Sequence, residues 1–204
     1  MRFFIPSLAI LTIGLVLALG TYFSSPAAFA ARPKSVGASG LAPLYTEEIQ
    51  HWGPFIQSWA SEYALDPNLV ATVMQIESCG DPQAGSQSGA TGLFQVMPFH
   101  FKSGEDPFDP ETNARRGLNY LRRSFEKAGG DARLALAGYN GGIGLIQADS
   151  ATWPVETRRY AAWGAAIYAD ARQGVAESQT LQDWLGNGGS RLCRQAARRL
   201  GLTN

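Results

Sequence analysis

The chain has 204 residues, 17 basic and 17 acidic side chains, and a hydrophobic share of 45%. Such a balance lacks the basic excess that nucleic-acid binding would ask for. The length suits one domain of ordinary size with a core of its own, once any targeting segment is set aside.

Residues 1–30 read as an export signal. Arg2 is the only charge there, "FFIPSLAILTIGLVLALG" is apolar, and "AFA" at 28–30 offers small residues for cleavage after Ala30. A retained N-terminal anchor is the rival reading, because the apolar run nearly suffices to span a bilayer; no other segment suggests membrane association. The small and Pro/Gly-rich "ARPKSVGASGLAP" at 31–43 reads as flexible, and a linker is assigned to 31–45. The domain is assigned to 46–204. "TEEIQHWGPFIQSWASEYAL" predicts two short helices broken at Gly53-Pro54, with Thr46 as N-cap. A helix over 67–77 follows, capped by Asp66, opened by Pro67 and stopped by Gly80 and Pro82. Residues 78–91 are dense in turn formers, and "GLFQVMP" at 92–98 reads as one helical turn ended by Pro98. Asp109-Pro110 starts a helix closed by Gly129-Gly130, Asp131 opens another, and Pro154 to about Gln173 forms a longer one. "LQDWLGN" and "SRLCRQAARRL" make a C-terminal helical extension from about residue 176. No run alternates apolar and polar residues long enough for a strand, so the fold is expected to be mainly α, with few or no strands.

The 67–77 helix raises the functional question. Leu69 or Val70, Val73 and Glu77 share one face, so a carboxylate stands on an apolar stripe at a helix end. One reading is a salt bridge or a cap. The other is a general acid, because apolar walls stabilise the protonated carboxyl. Cys79 and Cys193 are the only cysteines. In an exported chain they suggest a disulfide closing a loop of more than a hundred residues, with two buried thiols as the alternative. Cys79 as a nucleophile would need an activating His, and His51 and His100 fall in no such motif.

Four blocks then stand in order: "ESCGDPQAGSQSGATGLFQVMP" at 77–98, "FDPETNARRGLNYL" at 108–121, "ALAGYNGG" at 135–142 and "WPVETRRY" at 153–160. From about Trp59 to Tyr168 the chain resembles the catalytic domain of the soluble lytic transglycosylases, relatives of goose-type lysozyme. That resemblance implies a lysozyme-like helical domain with a substrate groove, which the export signal would place in the periplasm, cell envelope or outside the cell. It implies peptidoglycan glycan strands as partner, and neither cofactor nor metal. Glu77 would be the catalytic acid/base. Ser86, Gln95, Met97, Tyr139, Asn140 and Glu156 would line the groove, with Tyr160 beside them. The reaction implied cuts the β-1,4 bond between N-acetylmuramic acid and N-acetylglucosamine and leaves a 1,6-anhydromuramyl end.

Taken singly, each residue has a plainer reading. Gln95 would be a surface residue, Met97 core, Tyr139 packing, Asn140 a cap, and Glu156 a first-turn acid favoured by the helix dipole. Phe94 and Gly138 depart from the family, which commonly has Met and Ala at these places; fine substrate preference is what they put in doubt. Two other functions compete: a hydrolytic muramidase on the same fold, which a second carboxylate holding a water would mark, and a non-catalytic glycan-binding domain.

Overall fold

A computed structural model of the chain describes residues 40–202; the expected export signal and the linker up to residue 39 lie outside them. Among the described residues there are eight α-helices and no strands. They are α1 (Glu47–His51), α2 (Gly53–Glu62), α3 (Pro67–Glu77), α4 (Pro110–Lys127), α5 (Ala132–Gly141), α6 (Val155–Gln173), α7 (Gln179–Trp184) and α8 (Ser190–Leu200). Extended pairing is limited to isolated bridges joining Thr91 to Gly85 and Val96. The mainly α expectation holds.

Helix starts follow local chemistry. Asp66, Asp109 and Asp131 each accept a backbone N–H of the first turn, from Asn68, Thr112 and Leu134 at 2.8, 2.8 and 2.9 Å. Thr46 sits at the start of α1, but its hydroxyl donates across the domain to Gln75 at 3.2 Å instead of capping. α3 is the centre of the molecule. Every residue from Leu69 to Gln75 is buried, so the stripe read from the sequence understates a helix enclosed on all sides. It packs between α2 and α6, while α5 packs against both α4 and α6.

The expected linker needs correction at its end. Leu41, Ala42, Leu44 and Tyr45 are buried in the core. The Ala42 N–H donates to the Asn68 side chain at 3.0 Å, and the Tyr45 hydroxyl to the Asn68 carbonyl at 2.7 Å. Their burial depends on partners more than twenty residues away, which no local pattern announces. The helical turn expected over 92–98 is likewise misplaced: a short 3-10 turn covers Pro98–His100 instead. Residues 92–95 form a tight reversal closed by the Thr91–Val96 bridge, with Gly92 at φ 74°. A Cβ at Gly92 would lie 2.3 Å from the Asn113 side-chain nitrogen, so the reversal requires glycine.

α7 runs into α8 through a kink over Leu185–Gly189, where Gly188 takes φ 116°. α8 packs on α1. It is fastened to the end of α3 by a disulfide between Cys79 and Cys193, 114 residues apart, and by Gln195, which donates to the buried Asp81 carboxylate at 2.6 Å.

Candidate active site

α3 ends at Glu77 because the chain turns left-handed directly after it. Cys79 takes φ 52° and Gly80 φ 82°, so the left-handed turn begins one residue before the glycine that the sequence suggested as the stop. The Ser78 hydroxyl donates to the Leu93 carbonyl at 2.7 Å and accepts the Gly80 N–H at 3.0 Å. The end of α3 is thereby fixed to the 92–95 reversal.

That reversal is held from the other side by Asn113 on α4. Its fully buried amide accepts the Phe94 N–H at 2.9 Å and donates to the Thr91 and Pro107 carbonyls at 2.8 and 2.9 Å. Within the reversal Gln95 adopts φ 45°, uncommon for a residue with a side chain, and donates to the Gly92 carbonyl at 3.1 Å. On α5, the Tyr139 hydroxyl donates to the Phe94 carbonyl at 2.7 Å. The Asn140 side-chain oxygen accepts the hydroxyl of the buried Thr157 on α6 at 2.8 Å.

These elements enclose a groove of about 530 Å³. Seven of the sequence candidates line it: Glu77, Ser86, Gln95, Met97, Tyr139, Asn140 and Glu156. Tyr160, the eighth, lines an adjoining cavity that also touches Glu77, Asn140 and Glu156. The structure therefore brings the whole set around one carboxyl. Several plainer readings are true at the same time. Tyr139 does pack with its hydroxyl satisfied, and Glu156 does lie exposed in the first turn of α6.

Burial pushes the Glu77 carboxyl up to about 8; the neighbouring Tyr160 hydroxyl opposes the rise, and the negative charge of Glu156 adds to it. The Tyr160 hydroxyl is itself buried and makes no hydrogen bond of ordinary geometry among the described residues. Burial, reinforced by the Glu77 charge, holds both the Tyr139 and Tyr160 phenols well above their ordinary value, so both stay neutral. With its value near 8, the Glu77 carboxyl is protonated at neutral pH, beside neutral phenols and amides and the negative charge of Glu156.

Sequence reasoning left His100 and Tyr120 unassigned, yet both line the groove. Rings follow one another from the exposed Phe99 through His100 and Tyr120 to Tyr139, with centroids 4.5, 4.9 and 5.8 Å apart. The "PFHF" run gave a weak signal, since its aromatics had no periodicity to place them. Glu48 lies near Cys79 and Cys193, but the two sulfurs are bonded to each other and offer no thiolate to a cation.

Residues 54–154 match the transglycosylase SLT domain. That segment is a domain of the transglycosylase SLT family. A transglycosylase of Enterobacteria phage PRD1 is 38% identical over 111 residues, covering 53% of this chain and 40% of the relative. The membrane-bound lytic murein transglycosylase E of Buchnera aphidicola is 31% identical over 86 residues, covering 36% and 39%. The chain thus spans about two fifths of the length of these relatives. The solved lytic transglycosylase Slt of Pseudomonas aeruginosa matches 73% of this chain and 24% of its own, at 21% identity and a TM-score of 0.43.

Proposed function

We propose that the protein is a peptidoglycan lytic transglycosylase of the cell envelope, exported through residues 1–30. It cuts the β-1,4 bond between N-acetylmuramic acid and N-acetylglucosamine, with Glu77 as acid and then base. The observation that carries this reading is the Glu77 carboxyl, raised to about 8 in a groove walled by hydroxyl, amide, thioether and aromatic groups. Such walls suit sugar hydroxyls, N-acetyl groups and ring faces. The matched family and the names of its relatives support the same activity.

The steps balance on one residue. Glu77 gives its proton to the glycosidic oxygen as the bond to C1 of the muramyl sugar breaks, and that sugar's N-acetyl oxygen stabilises the developing cation. The muramyl C6 hydroxyl then attacks C1 and returns its proton to Glu77. The products are a 1,6-anhydromuramyl end and a free N-acetylglucosamine hydroxyl, with no water consumed. Tyr139 and Asn140, fixed by Phe94 and Thr157, would orient the sugar beside the acid.

A hydrolytic muramidase is the second reading, and Glu156 favours it, being a carboxylate that lines the groove and acts on Glu77 electrostatically. Mass spectrometry of muropeptides released by residues 31–204 separates the two. Ends one water lighter than hydrolytic products are expected, with release reduced about 10²–10⁴-fold in Glu77→Gln. Ordinary reducing ends would establish the muramidase. Wall binding without cutting, by wild type and variant alike, would leave a glycan-binding domain.

A further inference from the structure

α8 takes no part in lining the groove, and its charge sets it apart from the rest of the domain. Residues 40–202 hold 14 basic and 17 acidic side chains. Four of those cations, Arg191, Arg194, Arg198 and Arg199, fall on the eleven residues of α8, and no acid follows Asp183. Ten cations against seventeen acids remain elsewhere, so an acidic domain carries one basic helix.

The inner side of α8 is Cys193, Ala196 and Ala197, buried against the domain, and all four arginines are exposed. Among the described residues only Arg199 of the four has an acidic partner, the buried Asp81 at 3.8 Å, which Gln195 already holds. Glu47 and Glu48 of α1 share a hollow with Arg194 without forming an ion pair. Arg191, Arg194 and Arg198 are spaced three and four residues apart, which places them on one outward side of the helix.

The fork of donors on each guanidinium matches phosphate oxygens. The three are spread along roughly 10 Å of helix axis, too far for one phosphate to serve them all, and so they suit phosphates arrayed on a surface. The apolar side of α8 is used up inside the domain, so contact with such a surface is electrostatic, without insertion, and no apolar run announces it.

We propose that the outward face of α8 docks the domain on an anionic phospholipid surface, with Arg191, Arg194 and Arg198 on lipid phosphates. The same surface repels the acidic remainder of the domain, which selects one orientation. Because Cys193 of α8 is bonded to Cys79 in the turn after Glu77, docking also sets how the groove faces the bilayer. The inference draws on the proposed envelope location and not on the cutting reaction.

The test sediments residues 31–204 with vesicles of mixed phosphatidylglycerol and phosphatidylcholine, and with vesicles of phosphatidylcholine alone. Binding is expected to the anionic vesicles only, weakening as salt rises. Arg191→Gln, Arg194→Gln and Arg198→Gln together should weaken it about hundredfold, with a melting temperature close to that of wild type. The three corresponding changes to Lys should keep most of the binding, since they keep the charge. Removing the same charge from α4, by Arg122→Gln, Arg123→Gln and Lys127→Gln, should matter far less. Wild type that ignores anionic vesicles, or an equal loss from the α4 and α8 variants, would overturn the docking face. Binding to duplex DNA without binding to the vesicles would overturn it as well.

Discussion

Glu77 has an ordinary value of 4.5 and is raised to about 8 in the fold, chiefly by burial. A carboxyl whose value rises on folding favours the folded state only while protonated. Its effect on stability is therefore neutral below about 4.5, increasingly unfavourable as pH climbs towards 8, and constant above that. At roughly 1.4 kcal/mol per pKa unit, the charged form costs the fold a few kcal/mol. Glu77→Gln should thus melt higher than wild type at pH 8.5, by about 2–4 °C per kcal/mol recovered, and close to wild type at pH 4.5. Equal shifts at both pH values would mean that packing, not charge, is the cause. In kcat/KM the same group predicts activity falling as pH rises through about 8, because the first step needs the proton. Glu77 was legible in the sequence because helix caps and an apolar helix are local signals. His100 and Tyr120 were not: each looks like an ordinary residue until the groove that they line is seen. Asp81 was half legible. Its carboxylate does hold a turn, accepting the Gln83 N–H at 2.9 Å, but its partner Gln195 is 114 residues away.

Between elements, close approach explains one departure from the family pattern. Gly138 on α5 faces Ser124 of α4 and Ile146, and a Cβ there would come within 2.4 Å of the Ser124 oxygen and 2.7 Å of Ile146 Cδ1. The Ser124 hydroxyl is already committed to the Ala135 carbonyl at 2.6 Å. Gly138→Ala should therefore destabilise by about 1–3 kcal/mol despite alanine's better helix propensity. In a Ser124→Ala, Ile146→Ala background, Gly138→Ala should cost much less than it does in wild type, measured by denaturant unfolding. Failure of the double change to rescue would place the strain elsewhere. Phe94, the other departure, is fully buried against Trp59, with ring centroids 6.1 Å apart; its carbonyl, not its ring, is what Tyr139 grips. The elements bounded by an Asp cap were readable from sequence, since the cap and its N–H lie two or three residues apart. The 92–95 reversal was not, because Asn113 dictates it from another helix.

At the scale of the molecule, α8 and the segment from Leu41 to Tyr45 close the domain around α3 from opposite ends of the described chain. The Cys79–Cys193 bridge was inferred from export and count alone, and the structure contains it. The chain-entropy model gives a loop of this size about 4–5 kcal/mol, and removing a native bridge costs roughly 2–5 kcal/mol. Cys193→Ser should lower stability by an amount in that range, and a reducing agent should lower wild type by a similar amount while leaving the variant unchanged. A variant as stable as wild type would show that Asp81, Gln195 and the packing of α8 on α1 suffice.

The bridge also has a bearing on time. A chain emerges from the ribosome N-terminus first, and at roughly 5–20 residues per second the 114 residues separating the two cysteines take about 6–23 s to appear. Throughout that interval Cys79 has no Cys193 to bond with, and the helix that later covers the turn behind Glu77 has not been made. The proposed cutting residue therefore acquires its final setting only after α8, made more than a hundred residues later, has been added.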